Sequence, residues 1–174
     1  WEVCAEVSIA FYGGVVSPMF RCGQDAQHAA PSQLLASWRA ATPTVTSGDR
    51  DLDESIARSL DDLGTLRMFD PDDPETPIIA AGAPWYMTLF GRDSLLTAWM
   101  ALVADHSLVE GVLRTLGRLQ GTDVDPRTEE EPGKILHEVR PPPLEDTSLA
   151  RGEIYYGSID ATPLYVMLLA EAWR

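Results

Sequence analysis

Ala80-Ala81-Gly82-Ala83-Pro84-Trp85-Tyr86-Met87-Thr88-Leu89-Phe90-Gly91-Arg92-Asp93-Ser94-Leu95-Leu96 runs an aromatic, Gly/Pro-punctuated loop straight into an apolar segment, with an Arg-Asp pair at the junction. The apolar part predicts a helix that starts near Asp93 and continues through Trp99, Met100 and Val103. Trp85, Tyr86 and Phe90 beside Arg92 and Asp93 are the residue types a sugar site uses. Aromatic faces cover the apolar C–H side of a pyranose, and the charged pair orients its hydroxyls in a mostly apolar site. An equally open reading makes Asp93 an acidic residue favoured by the helix dipole and Arg92 its ion-pair partner.

Working outward toward the C-terminus, His106 and Ser107 are expected to separate this helix from another over Leu108 to Leu119, closed by Gln120-Gly121. A long loop over 122–152 carries Glu129-Glu130-Glu131-Pro132-Gly133 and Pro141-Pro142-Pro143. Asp160-Ala161-Thr162-Pro163 then opens a further helix through Leu164, Val166, Met167, Leu168 and Leu169, with Pro in its first turn. Toward the N-terminus, Met68 to Pro77 reads as an acidic, Pro-rich loop. Leu52, Ile56, Leu60, Leu63 and Leu66 recur at helical spacing behind Ser47 and Asp49 as candidate caps.

Residues 23–48 read as a linker around a short apolar helix, Leu34 to Trp38. In residues 1–22, Trp1, Val3, Ala5, Val7 and Ile9 alternate with Glu2, Cys4, Glu6 and Ser8, the period of a strand with one buried face. Gly13-Gly14 would turn it into a return strand over Val15 to Arg21. A lone hairpin is not stable by itself, so this segment is expected to finish a β-domain. Both ends fall inside a pattern, so the chain is expected to be a fragment of a longer protein. The expected organisation is 1–22, the close of a β-domain; 23–48, the linker; and 49–174, helices joined by long loops. Those loop lengths favour a mainly α, partial helical toroid over a four-helix bundle with short connections.

Charge narrows the partners. Thirteen Lys and Arg against 27 Asp and Glu give a net charge of −14. Such a balance disfavours nucleic acid and anionic membrane surfaces, which need a basic face. A hydrophobic fraction of 45% suits a packed core. No apolar run is long enough to span a bilayer, and no signal-peptide pattern is visible, so a cytoplasmic location is expected. Cys4 and Cys22 have no companion at metal-ligand spacing and read as thiols more readily than as a bridge.

Three loop segments carry the chemistry: Trp85 to Asp93, Glu131 to Arg140, and Ile154 to Pro163. Loops rich in aromatic and charged groups bordering apolar helices are where function concentrates. His137-Glu138 lacks a second His at the spacing of a zinc protease, so no metal and no cofactor are expected. Tyr155 and Tyr156 would point opposite ways in an extended segment, so at most one faces a pocket. Asp160 reads equally as a helix cap. Asp93, Glu131, Glu138 and Asp160 are the carboxylates available for glycoside chemistry, which needs two about 5–9.5 Å apart. Spacing alone pairs none of them. Phosphate loops, nucleophile elbows and dinucleotide fingerprints are missing from the sequence.

Taken in order, Trp85 to Leu96, Glu130 to Glu138 (Glu-Glu-Pro-Gly-Lys-Ile-Leu-His-Glu) and Tyr155 to Leu164 (Tyr-Tyr-Gly-Ser-Ile-Asp-Ala-Thr-Pro-Leu) resemble the bacterial glycogen-debranching, amylo-α-1,6-glucosidase-like proteins. The resemblance covers about residues 45–174, and residues 1–22 look like the end of that family's β-sandwich domain. It implies part of an (α/α)6 toroid, a six-hairpin glycosidase, that hydrolyses α-glucosidic bonds in glycogen-like oligosaccharides. It also implies that Arg92 and Asp93 hold a sugar beside Trp85, Tyr86 or Phe90. Glu131, His137, Glu138, Tyr156 and Asp160 would border the same pocket.

The general acid and base of such toroids lie on later loops, so neither is expected within residues 1–174. The expected partner is an oligosaccharide, with oligomeric state open. A non-catalytic carbohydrate-binding or interaction protein on the same scaffold is the rival. Hydrolysis of a charged glycoside such as mannosylglycerate ranks lower, since only Arg140 and Lys134 could meet the charge.

Overall fold

The computed structural model describes residues 9–11, 14–16, 22–23, 25–70, 73–140 and 153–174, and the chain divides into two compact units, Trp1–Thr65 and Leu66–Arg174. Mainly helical, it carries three two-stranded antiparallel ribbons among the described residues.

In the first unit, β1 (Ile9–Phe11) pairs with β2 (Gly14–Val16), matching Ile9 with Val16 and Phe11 with Gly14. The longer strands expected over Trp1 to Ser8 and Ser17 to Arg21 lie outside the described residues, as does Cys4. Cys22 is disulfide-bonded, which corrects its reading as a thiol.

The expected linker holds a full helix, α1 (Ala30–Ala41), with Pro31 in its first turn. It packs on α2 (Arg50–Thr65), whose start is capped as the sequence predicts. Asp49 Oδ1 accepts from the Asp51 and Leu52 amides at 3.0 and 3.2 Å. Trp38 is the one buried side chain of α1, and its indole N–H donates to the Leu60 carbonyl at 2.8 Å. Arg39 grips Asp61 with two bonds of 2.7 and 2.8 Å at the surface. The segment looked like a linker because a single buried ring, rather than an apolar stripe, joins the helices. The same ring draws α2 into the first unit rather than the second.

In the second unit, the expected acidic loop over 68–77 is instead a ribbon. β3 (Arg67–Asp70) pairs with β4 (Asp73–Ile79), matching Arg67 with Ile79, Met68 with Ile78 and Phe69 with Pro77. Prolines suggested a loop, but a two-stranded ribbon always has open edges where a missing N–H is tolerated. Ile78 and Ile79 anchor β4 in the core. α3 (Gly91–Met100) follows and continues as a 3-10 turn over Ala101–Val103. The Ser94 hydroxyl donates to the Ile79 carbonyl at 2.8 Å, tying α3 to β4.

α4 (His106–Arg118) includes the two residues expected to separate it from the preceding helix. Asp105 caps the helix by accepting from the Ser107 amide at 2.7 Å, so His106 and Ser107 form its first turn. Its buried face, Leu108, Val109, Val112 and Leu116, meets β4 and α3. The long loop after α4 contains β5 (Glu138–Arg140), paired with β6 (Glu153–Tyr155). Pro141-Pro142-Pro143 lies outside the described residues. α5 (Ala161–Ala172) packs on α3 and α4, burying Leu168 and donating the Tyr165 hydroxyl to the Leu113 carbonyl at 3.2 Å. No helix among the described residues is long and apolar enough to cross a membrane.

Candidate functional site

The three motif segments are laced together by backbone hydrogen bonds inside the second unit. The first folds back on itself, with Gly82 and Tyr86 exchanging bonds of 3.1 and 2.8 Å. That leaves Trp85 85% and Tyr86 59% exposed at its tip. It then runs beside the second segment. The Gly91 amide donates to the His137 carbonyl and the Val139 amide to the Leu89 carbonyl, both at 2.9 Å. The buried Thr88 hydroxyl adds a bond of 2.7 Å to the Val139 carbonyl.

Gly91 comes so close to the Leu136 carbonyl that a Cβ there would collide with it, which is why this junction needs glycine. The second segment in turn joins the third. The His137 amide donates to the Tyr155 carbonyl at 2.7 Å, and the Ile135 amide to the Thr162 hydroxyl at 3.0 Å.

At this junction Arg92 stands between two half-exposed carboxylates. Its Nη1 lies 3.3 Å from Asp160 Oδ2 and its Nε lies 3.9 Å from Asp93 Oδ2. Asp160 does not cap α5 with its side chain. The Ser158 hydroxyl does that work, accepting from the Ala161 amide at 3.2 Å while donating to Asp160 Oδ1 at 2.6 Å. The Ser158 hydrogen bond holds the Asp160 carboxyl below its ordinary value against the next-largest effect, burial, and Arg92 adds to the lowering.

A row of rings extends from this charged group. Tyr86 meets Phe90 at 6.0 Å and 80°, Phe90 meets His137 at 5.8 Å and 85°, and His137 meets Tyr155 at 5.9 Å and 86°. These are edge-to-face contacts that hold each ring against the next. Tyr155 ends the row by donating its hydroxyl to Glu129 Oε1 at 2.9 Å. The carboxylate, with some help from burial, pushes the Tyr155 phenol above its usual value.

The neighbouring tyrosine does something else: Tyr156 is buried, with its hydroxyl on the Leu119 carbonyl at 2.9 Å. Alternation in the chain separated the two rings, but the Tyr of the sequence-predicted set is the one turned into the core. The acidic run also divides its labour. Glu130 accepts from the Thr122 and Asp123 amides at 2.8 and 3.2 Å, anchoring the loop. Glu131 is exposed, with its carbonyl closing a turn onto the Lys134 amide at 3.1 Å.

Glu138 accepts from Arg140 Nε at 3.0 Å, and Arg140 also reaches Glu153 at 3.7 Å. Glu138 is the main reason the Arg140 guanidinium holds its proton more tightly than usual. Lys134 Nζ is spent on the Glu129 carbonyl at 2.8 Å. Both cations considered for a charged ligand are therefore engaged.

Glu129, Tyr155 and Ser158 were missing from the sequence-predicted set. Ser158, two residues before Asp160, carried a local signal, since Ser and Asp side chains at turns bond nearby groups. Glu129 carried none: it was the first of three identical residues in a long loop. Chemically the strip offers carboxylates and a guanidinium for hydroxyl groups, with aromatic surface alongside. No protein-family model matches the chain, and no curated protein matches it significantly.

Proposed function

We propose that this chain forms the substrate-holding wall of a glycoside hydrolase acting on α-glucosidic bonds in glycogen-like oligosaccharides. In this reading the helices of the second unit belong to an (α/α)6 toroid. The observation that carries it is the convergence of three separate motif segments on one strip where Arg92, Asp93 and Asp160 adjoin Phe90 and His137. A neutral oligosaccharide also suits the net charge of −14 and the engaged state of Arg140 and Lys134. The acid and base are taken, from the family resemblance, to lie on later loops, so the chain binds sugar without cleaving it. The disulfide of Cys22 favours an oxidising compartment over the cytoplasmic location expected from the sequence.

Calorimetric titration of the chain with maltooligosaccharides tests the reading. Wild type should bind without releasing glucose, and Asp93→Asn should lose about tenfold in affinity, the scale of one charged hydrogen bond. Absence of binding, or an unchanged affinity in the variant, would overturn it.

A further inference from the structure

Glu129 combines features that a loop glutamate has no need of. Its backbone sits at φ 55°, in the left-handed region that a long side chain seldom adopts. Lys134 Nζ pins its carbonyl at 2.8 Å and the Tyr155 hydroxyl pins Oε1 at 2.9 Å, while the residue remains exposed. Among the described residues Oε1 alone is engaged, leaving Oε2 for a ligand.

Tyr155 is itself immobilised. Its strand pairs with Glu138, the Arg140 guanidinium lies 5.5 Å over its ring, and the ring edge meets His137. Gly157 lies so near the phenol end that a Cβ would occupy the same space. Closing the loop does not require this bond. Asp125 and Glu130 already exchange backbone hydrogen bonds of 3.2 and 3.1 Å, and the Tyr156 amide holds the Thr128 carbonyl at 2.8 Å.

We propose that Glu129 is a further sugar-holding carboxylate, set in place by Tyr155 as a positioning residue, at the opposite end of the aromatic row from Tyr86. This rests on the carbohydrate reading above and sharpens its substrate class. The strip that begins at Arg92 and Asp93 continues past Phe90 and His137 to Glu129, so it takes a chain of several neutral sugars rather than one. A carboxylate oxygen accepts from sugar hydroxyls and offers nothing to an anion.

The test titrates the full chain with maltose and with maltotetraose. Glu129→Gln should lower maltotetraose affinity about tenfold or more while leaving maltose affinity nearly unchanged. Tyr155→Phe should show the same length-dependent loss, and no further loss when added to Glu129→Gln, because its effect passes through that carboxylate. Thermal midpoints of all variants are followed in parallel, since a purely structural staple would lower stability without this sugar-length dependence.

Retention of full maltotetraose affinity in Glu129→Gln, or additive losses in the double variant, overturns the proposal while Asp93→Asn still reports on the broader reading. Wild type that binds neither sugar overturns both.

Discussion

The Asp160 carboxylate is held from two sides, by the Ser158 hydroxyl at 2.6 Å and by Arg92 at 3.3 Å. Its folded-state pKa is lowered, with the Ser158 hydrogen bond the largest single cause. The contribution to stability is therefore fully present above the unfolded value of about 3.9, and it is lost as pH falls through the depressed folded value. Carboxyl-carbon NMR should show Asp160 titrating below a normal aspartate. Ser158→Ala and Arg92→Gln should each move that midpoint up, and an unchanged midpoint in Ser158→Ala would contradict the hold that its hydroxyl has on the carboxylate. The Ser158 contact was within local reach of the chain, but the ion pair was not, since Arg92 and Asp160 stand 68 residues apart. Tyr155 and Tyr156 make the same point, since period two says only that they diverge. Which one enters the core depended on where the Leu119 carbonyl stood.

Elements with strong local causes were legible and others were not. α4 follows its apolar periodicity, α5 its apolar run behind Pro163, and α2 begins where its cap says it should. α1 depends instead on Trp38, a single side chain with its indole N–H on the Leu60 carbonyl. Trp38→Ala should cost about 3–5 kcal/mol, the range for deleting a large buried aromatic. Chemical denaturation followed by far-UV circular dichroism would measure it. A cost below about 1 kcal/mol, the scale of a surface substitution, would show that α1 is held to α2 by something else. β3 and β4 escaped the sequence reading because pairing, unlike helix formation, draws on a partner strand. Met68 opposite Ile78 makes sense only once both lie beside the core.

At the scale of the whole molecule, α3 and α5 present apolar side chains to solvent. Met100 is 74% exposed, Val166 60% and Trp173 91%, with Leu96, Met167 and Leu169 between 41% and 49%. A helix that is apolar on nearly all sides is ordinarily buried, and contiguous exposed apolar surface promotes association. The chain should therefore self-associate as its concentration rises, and replacing Val166 with Lys and Leu169 with Glu should suppress it. Sedimentation velocity across a concentration series measures this, and a wild-type chain that stays monomeric throughout would contradict it. Helix positions, the Asp49 cap and the three chemically loaded segments could be found in the order of residues, because each depends on neighbours within a few positions. The meeting of Arg92 with Asp160, of Tyr155 with Glu129 and of β3 with β4 arose on folding. Those contacts join surfaces whose approach is governed by packing of the core, and no local pattern in the chain carries that distance.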